Sequence, residues 1–494
     1  MVGHVRGGIV ELVQGSASAG LLPRILRGSF WVLNGNVLNR GLTVARGVIL
    51  ARFLVPADFG MFNLANIVIG SVVMLGDMGG ASFIVYHPEN VDAYFPTAFW
   101  VNLCIATILG LGVAATSPLV ARFYGRPQLV PILCVLAVAL WLQAATCVHR
   151  NLLRRDLRFR RLALLDSVAT LAMFVSAVIL AWRGFGVWSF VLSTVAANAV
   201  SLILLLCVFP RLPARELSRD AIRAMLPFSG WYVGQAVVWQ LMFNVDNLMV
   251  GKLLGMEALG IYSVAYSYAM MPVTFIAATL ANVVFAEMPR LYKIPDQFWS
   301  TFRQTSVLLS GLVCPIAAAL FASAPDLIPL LFGPKWNGTV FPFQVIAVLG
   351  AVRCMWVDPI GALGRFKLGF YLGLGVLALS AVSVREGIRY GMHGVSFAVL
   401  GVGCVTQVAS LFLAGRSWNI VKQSLGNSLP HLVVSAGAAA VAMLIRHVMF
   451  GLLGDQKLAM TFVTVSVVLA LYALVFQKSL LRLMSHALAG AKLA

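Results

Sequence analysis

Apolar runs near the ~20 residues needed to cross a bilayer recur from one end of this chain to the other. They fall at roughly 29–50, 61–86, 95–117, 129–148, 162–182, 187–209, 228–250, 259–284, 304–322, 339–360, 368–384, 393–414, 430–449 and 458–476. Short loops join them, so no soluble domain intervenes. Only 11% of the 494 residues are charged and 60% are hydrophobic; a soluble chain would carry about 25% charged residues. Within a bilayer each span must satisfy its own backbone, which a helix does. The fold class is therefore an all-α polytopic membrane protein with about fourteen transmembrane helices. Residues 1–27 read as a basic cytoplasmic segment rather than a cleavable signal peptide, because the span that follows is too long and too polar.

The formal charge of +19 comes from 36 Lys+Arg against 17 Asp+Glu. In a soluble protein this would point to nucleic acid. Here cytoplasmic loops facing anionic lipid headgroups account for most of it, so no nucleic-acid partner is expected. The strongest clusters, Arg150–Arg161 and Arg211–Arg223, both follow even-numbered spans. Both termini are then cytoplasmic. The acidic loop Glu89–Asp92 and the outside Arg122 and Arg126 run against that bias without overturning it. Seven scattered cysteines with no C-x-x-C pair give no reason to expect a disulfide, a metal site or a cofactor.

The first span is the least inert. Asn36, Asn39, Arg40, Thr43 and Arg46 lie within an arc of about 120° on a helix, one polar stripe on an apolar rod. A guanidinium near mid-bilayer costs roughly 2.5–3.5 kcal/mol on insertion scales, so it faces protein or a wet cavity. Two on one stripe suggest a cationic cavity; the blander alternative is that both pair with acids and lock helices together. Pro56-Ala57-Asp58-Phe59-Gly60 then reads as a turn.

Shifting the sequence by 200 lays one half on the other: Trp31 on Trp231, Arg52 on Lys252, Leu54 on Leu254, Gly60 on Gly260, Phe62 on Tyr262 and Ala65 on Ala265. Farther along the shift is 208, where Gly186-Val187 meets Gly394-Val395. Six spans separate the copies, so the repeats are parallel, an arrangement that puts a transport site between two halves. The domains expected are 28–223 for the first lobe, 224–425 for the second, and 426–494 for two extra spans and a cytoplasmic tail. Arg46 and Asp246 also differ by 200 and are candidates for an outer gate. Alternatively, Arg46 snorkels outward and Asp246 pairs with Lys252.

The run Arg46-Gly47-Val48-Ile49-Leu50-Ala51-Arg52-Phe53-Leu54-Val55-Pro56-Ala57-Asp58-Phe59-Gly60 resembles the polysaccharide transporter family, the Wzx-type flippases of the multidrug/oligosaccharidyl-lipid/polysaccharide exporter superfamily. So does Asn244-Val245-Asp246-Asn247-Leu248-Met249-Val250-Gly251-Lys252-Leu253-Leu254-Gly255, with Leu259-Gly260-Ile261-Tyr262 after it. Length and Arg-rich composition are similar to rhizobial exopolysaccharide exporters of the succinoglycan type. The resemblance implies two six-helix lobes around a central cavity, plus two C-terminal helices, in a bacterial inner membrane. It implies flipping of undecaprenyl-pyrophosphate-linked oligosaccharide repeat units, with a polysaccharide polymerase and a chain-length regulator as neighbours.

The residues suit that cargo. Arg40 and Arg46 can form forked contacts to phosphate. Asn36, Asn39, Gln235, Gln240 and Asn244 can bond sugar hydroxyls, although each amide serves equally well between helices. Trp231 and Trp239 share a face with Gln235 and Asp246 and can stack on sugar rings; core packing is the commoner role for Trp at this spacing. Arg353 can join the cavity, or pair with Asp358 or a neighbouring helix. Asp77, in Gly76-Asp77-Met78-Gly79-Gly80, is a candidate for gating or coupling. A cation-coupled drug exporter of the same superfamily would need acids in its cavity, and two arginines argue for an anion instead. A non-catalytic scaffold in a polysaccharide assembly complex is a further alternative. Enzymatic chemistry is not expected: there is no D-x-D, nucleophile elbow, H-E-x-x-H or phosphate-cradling glycine loop.

Overall fold

The structure is a computed structural model that describes residues 18–76, 91–156, 158–208, 218, 230–291, 294–355, 358–453 and 456–493. Within these, side chains are not described at 18–33, 74–76, 91–94, 230–237, 277–291, 295, 366, 450–453 and 477–493. Fourteen long helices run through the described residues: α1 Ser18–Phe53, α2 Pro56–Gly76, α3 Val91–Tyr124, α4 Leu129–Arg155, α5 Phe159–Trp182, α6 Trp188–Val208, α7 Gly230–Leu253, α8 Met256–Leu291, α9 Pro295–Phe332, α10 Val340–Cys354, α11 Phe366–Ile388, α12 Gly391–Gly415, α13 Trp418–Leu453 and α14 Lys457–Leu493. Twelve are long and apolar enough over their described residues to cross a membrane. The other two are α1 and α7, the helices that carry the polar residues singled out in the sequence.

Several helices outrun their apolar spans. α9 begins at Pro295, nine residues ahead of the span expected at 304, because Phe298 and Phe302 are buried in protein rather than exposed to lipid. Hydropathy registers lipid contact and misses a polar helix end held by packing. Span ten, expected to be continuous over 339–360, is broken. Asp358 precedes Pro359, which disfavours helical backbone at Asp358; it sits extended at φ −62°, ψ 107°. Its carboxylate accepts from Ile360 N and Gly361 N at 3.1 Å each and so caps a one-turn helix, Pro359–Ala362.

The chain divides into two compact units, one of residues 1–54 with 65–237, the other of 55–64 with 238–494. In the first, α1 packs along α5, α5 along α6, and α4 against α3 and α6. Leu129, Ile132, Leu133 and Leu136 form the buried stripe of α4 at helical spacing. Gly35 lets α1 approach α5 closely, since a Cβ there would lie 3.1 Å from Ala163 Cβ. Arg150 is ion-paired with Asp166.

In the second unit α9 is central, packed against α8, α10, α13 and α14. The two C-terminal helices are held on it by an alanine-rich seam, Ala318, Ala319 and Ala322 against Ala438, Ala439 and Ala442. Two polar ties add direction: Arg446 grips Asp326 with bonds of 2.5 and 2.8 Å, and His431 Nδ1 lies 2.7 Å from the Tyr472 hydroxyl.

The repeat appears in the helix limits. α1 and α7 end 200 residues apart, at Phe53 and Leu253, and α2 and α8 begin 200 apart, at Pro56 and Met256. The stretch read as a turn, Pro56–Gly60, is instead the first turn of α2, with Pro in its tolerated first position. Gly60 and Gly260 are there for close approach. A Cβ on Gly60 would lie 1.9 Å from the Met256 carbonyl oxygen, and one on Gly260 would lie 1.8 Å from that of Pro56. Pro56 and Met256 are themselves repeat mates, so the two helix starts cross with internal two-fold symmetry, backbone to backbone.

Candidate substrate-binding site

On α1, in the first unit, Asn36, Arg40 and Thr43 are exposed, while Asn39 and Arg46 are half-buried. Thr43 Oγ1 donates to the Asn39 carbonyl at 2.8 Å, the usual return of a helical threonine to its own backbone. Asn39 Oδ1 is buried with no hydrogen-bond partner among the described residues. The Arg46 guanidinium lies 5.7 Å from the centre of the Phe190 ring on α6, within cation–π range. Along the stripe, Asn36, Arg40 and Thr43 face the exterior of the unit, and Arg46 lies against Phe190 of α6.

The second unit holds a pocket of about 260 Å³ between α7, α10, α11 and α12. Trp239, Phe243, Arg353, Asp358, Thr406 and Gln407 are among its lining residues. Arg353 is the central group. Its Nη1 donates to the Tyr266 hydroxyl at 2.6 Å, and its guanidinium lies 5.7 Å from the Phe243 ring centre. Arg353 thus lines this pocket and ties α10 to the neighbouring α8. Asp358 lines the same pocket but spends its carboxylate on the backbone cap. Gln407 donates its amide to the carbonyls of Val352 and Arg353 at 3.1 and 2.7 Å, which fixes the end of α10 from α12.

A buried acid lies on α7, the helix that gives the pocket Trp239 and Phe243. Asp246 is 6% exposed, too little for a lone carboxylate in an apolar bundle, so it must be bonded. Oδ2 accepts from the Tyr262 hydroxyl at 2.7 Å; Oδ1 accepts from Asn247 N at 2.8 Å and Asn247 Nδ2 at 3.2 Å. Asn63 in turn donates to Asn247 Oδ1 at 3.1 Å. Arg353 acts on Asp246 electrostatically. Two tyrosines four residues apart on α8 thus bond an acid and a base: Tyr262 holds Asp246, and Tyr266 holds Arg353.

Of the residues selected from sequence, the structure gathers Trp239 and Arg353 on one pocket. Asn244, on the same helix as Trp239, turns Nδ2 back to the Gln240 carbonyl at 2.8 Å. Asn36, Asn39, Arg40 and Arg46 belong to the first unit and Asp246 to the second. Asp77 and the side chains of Trp231 and Gln235 lie outside what the structure describes. Sequence reasoning missed Tyr262 and Tyr266 as site residues, although two tyrosines at helical spacing in an apolar span were visible. It also missed Gln407, a lone amide with no local pattern to mark it.

Residues 49–341 match the family described as "Polysaccharide biosynthesis protein". The chain belongs to this family. Among curated proteins it is similar to the lipopolysaccharide biosynthesis protein WzxC of Escherichia coli K12, 24% identical over 427 residues covering 84% of each chain. It is similar to the succinoglycan biosynthesis transport protein ExoT of Rhizobium meliloti, 24% identical with 85% of each chain covered. The teichuronic acid biosynthesis protein TuaB of Bacillus subtilis 168 is 25% identical over 69% of this chain and 71% of its own. Among solved structures, the lipid II flippase MurJ in an inward closed conformation superposes with a TM-score of 0.67 at 12% identity, covering 92% of this chain and all of that one. An inward-facing multidrug-resistance MATE transporter of the MOP superfamily gives 0.58 at 15% identity, covering 77% of this chain and 94% of that one. The fold is therefore that of the exporter superfamily expected from the sequence, and the chain is a multi-pass membrane protein of the polysaccharide biosynthesis family.

Proposed function

We propose that this protein flips polyprenyl-pyrophosphate-linked oligosaccharide repeat units from the inner to the outer leaflet of a bacterial inner membrane, by alternating access. The observation that carries the reading is the presence of guanidinium groups on long helices of both units: Arg40 and Arg46 on α1, and Arg353 on α10, which is long and apolar enough to cross a membrane. A cation kept in an apolar span at a cost of a few kcal/mol argues for an anionic cargo. A lipid pyrophosphate is such a cargo, and the exposed amide of Asn36 beside Arg40 suits the sugar that follows it. In this reading the basic loops and both termini are cytoplasmic, and the flipped unit passes to a polymerase and a chain-length regulator.

The test is depletion in whole cells. Loss of the protein should stop export and leave a defined lipid-linked intermediate in the inner leaflet. Arg40→Ala should reproduce that block while still reaching the membrane, and Arg40→Lys should restore export in part, because a point charge replaces a planar fork. Full export by Arg40→Ala removes this residue from the mechanism. Depletion without accumulation of any lipid-linked sugar refutes the flippase reading.

A further inference from the structure

We propose that the pocket in the second unit is a subsite for one acidic sugar residue of the cargo, with its carboxylate on Arg353 and its ring against Trp239. This deepens the flippase reading above and rests on it for the source of the sugar.

The argument is an inventory of donors and acceptors. Three polar groups on the pocket wall are already spent. Asp358 caps the one-turn helix with both oxygens. Gln407 gives its amide to two carbonyls. Thr406 Oγ1 donates to the Val402 carbonyl at 2.7 Å. Ser380 and Ser410 add hydroxyls to the wall, and two further sets of donors are left. Arg353 has five N–H groups, and its hydrogen bond among the described residues is the one to Tyr266. Trp239 Nε1 is buried with no hydrogen-bond partner among the described residues. The acceptors that remain, Gln407 Oε1 and the serine hydroxyls, are neutral, whereas the guanidinium is charged, so the complement of the wall is an anion rich in acceptors. A planar carboxylate fits a guanidinium fork. An indole and a phenyl beside it, Trp239 and Phe243 with ring centres 5.5 Å apart, supply the apolar wall on which a sugar face rests.

Size limits the ligand. At about 260 Å³ the pocket falls below the ~300–1,000 Å³ typical of sites for drug-sized molecules, so it takes one ring and not a chain. Gly369 and Gly373, one turn apart on α11, line the wall without side chains of their own. Every lining residue belongs to the second unit, so the subsite is complete within that unit.

The test reads binding rather than transport, so its failure is separable from failure of the flippase reading. In full-length protein with its native cysteines replaced, Thr406→Cys places one thiol on the pocket wall, and its alkylation rate reports occupancy. The probes are glucuronate, glucose and inorganic pyrophosphate. Glucuronate should slow labelling at a concentration about tenfold lower than glucose, the worth of a charge-assisted bond. Arg353→Gln should abolish that preference, and Gly373→Leu, which puts a bulky side chain on the α11 wall and leaves Arg353 in place, should abolish protection by both sugars. Equal protection by glucose and glucuronate, or no protection by either, overturns the proposal. Protection by pyrophosphate with none by glucuronate overturns it as well and assigns Arg353 to the lipid linkage. Each variant is compared at matched monodispersity; should Arg353→Gln fail to fold, loss of protection in Gly373→Leu still decides the matter.

Discussion

Replacing Gly60 with alanine should weaken the protein far more than one methyl group suggests. The added Cβ would lie 1.9 Å from the Met256 carbonyl oxygen, and ordinary contact begins at 3.4 Å. The two helix starts must therefore part by 3.4 − 1.9 = 1.5 Å. The obstacle is backbone, so no rotamer change relieves it, and the cost should reach the upper end of the roughly 1–3 kcal/mol range for overpacking. Parting the helices also stretches the Asn63–Asn247 bond beyond its 3.1 Å. Gly260→Ala meets the Pro56 carbonyl at 1.8 Å and should cost about as much. The double variant should cost less than the sum of the two, because the first substitution has already opened the crossing for the second. Gly41→Ala is the control: nothing lies within 4 Å of its added Cβ, and alanine in a helix gains roughly 0.5–1 kcal/mol over glycine. The assay is the melting temperature of detergent-purified protein, paired with disulfide formation between Asn63→Cys and Asn247→Cys in a cysteine-free background. Gly60→Ala should lower the first and slow the second, while Gly41→Ala should do neither. Wild-type melting and crosslinking in Gly60→Ala would refute the close-crossing argument.

Two further outcomes are expected. Tyr262→Phe removes a 2.7 Å bond from a buried carboxylate and should destabilise by about 1–3 kcal/mol; Asp246→Asn in the same chain should recover part of that loss, since no charge is then stranded, and an equal cost in both backgrounds would show that the bond carries no weight. Fusions of a periplasm-active reporter should be silent at Arg155 and Leu217 and active at Asp58 and Lys335; activity at both of the first two sites would reverse the assigned orientation.

How far the sequence reaches depends on whether a feature repeats locally. Each span announces itself within about twenty residues, and the repeat announces itself through phase, so the helix order and the pairing of α1 with α7 were legible. Gly60 and Gly260 were legible as a matched pair but not in their purpose. A glycine after Pro-Ala-Asp-Phe signals a turn by local rules; only the partner helix, nearly 200 residues away, shows that the missing Cβ makes room for a carbonyl. Asp358 illustrates the same limit from the opposite side. A charge in an apolar span points to function by default, yet Asp358-Pro359 is a local cap signal that breaks the span, and that signal was outweighed by the apolar run on either side.

The same reasoning explains why the donors on the pocket wall could be found only in the fold. Arg353, Trp239, Asp358 and Gln407 were all visible as residue types, and any of them could serve a sugar. What narrows the ligand is which of their hydrogen bonds the protein has already used. That accounting runs between helices: α12 amide to α10 carbonyls, α10 guanidinium to α8 phenol, α8 phenol to α7 carboxylate. Asp246 and Arg353 are an acid and a base each bonded to its own phenol, and the guanidinium feels the carboxylate electrostatically while still having N–H groups to give. A lone arginine would bind any anion strongly; one balanced in this way favours a ligand whose geometry matches its fork, and Arg353→Lys, which keeps the charge and loses the fork, should therefore bind glucose as the wild type does and lose most of its preference for glucuronate.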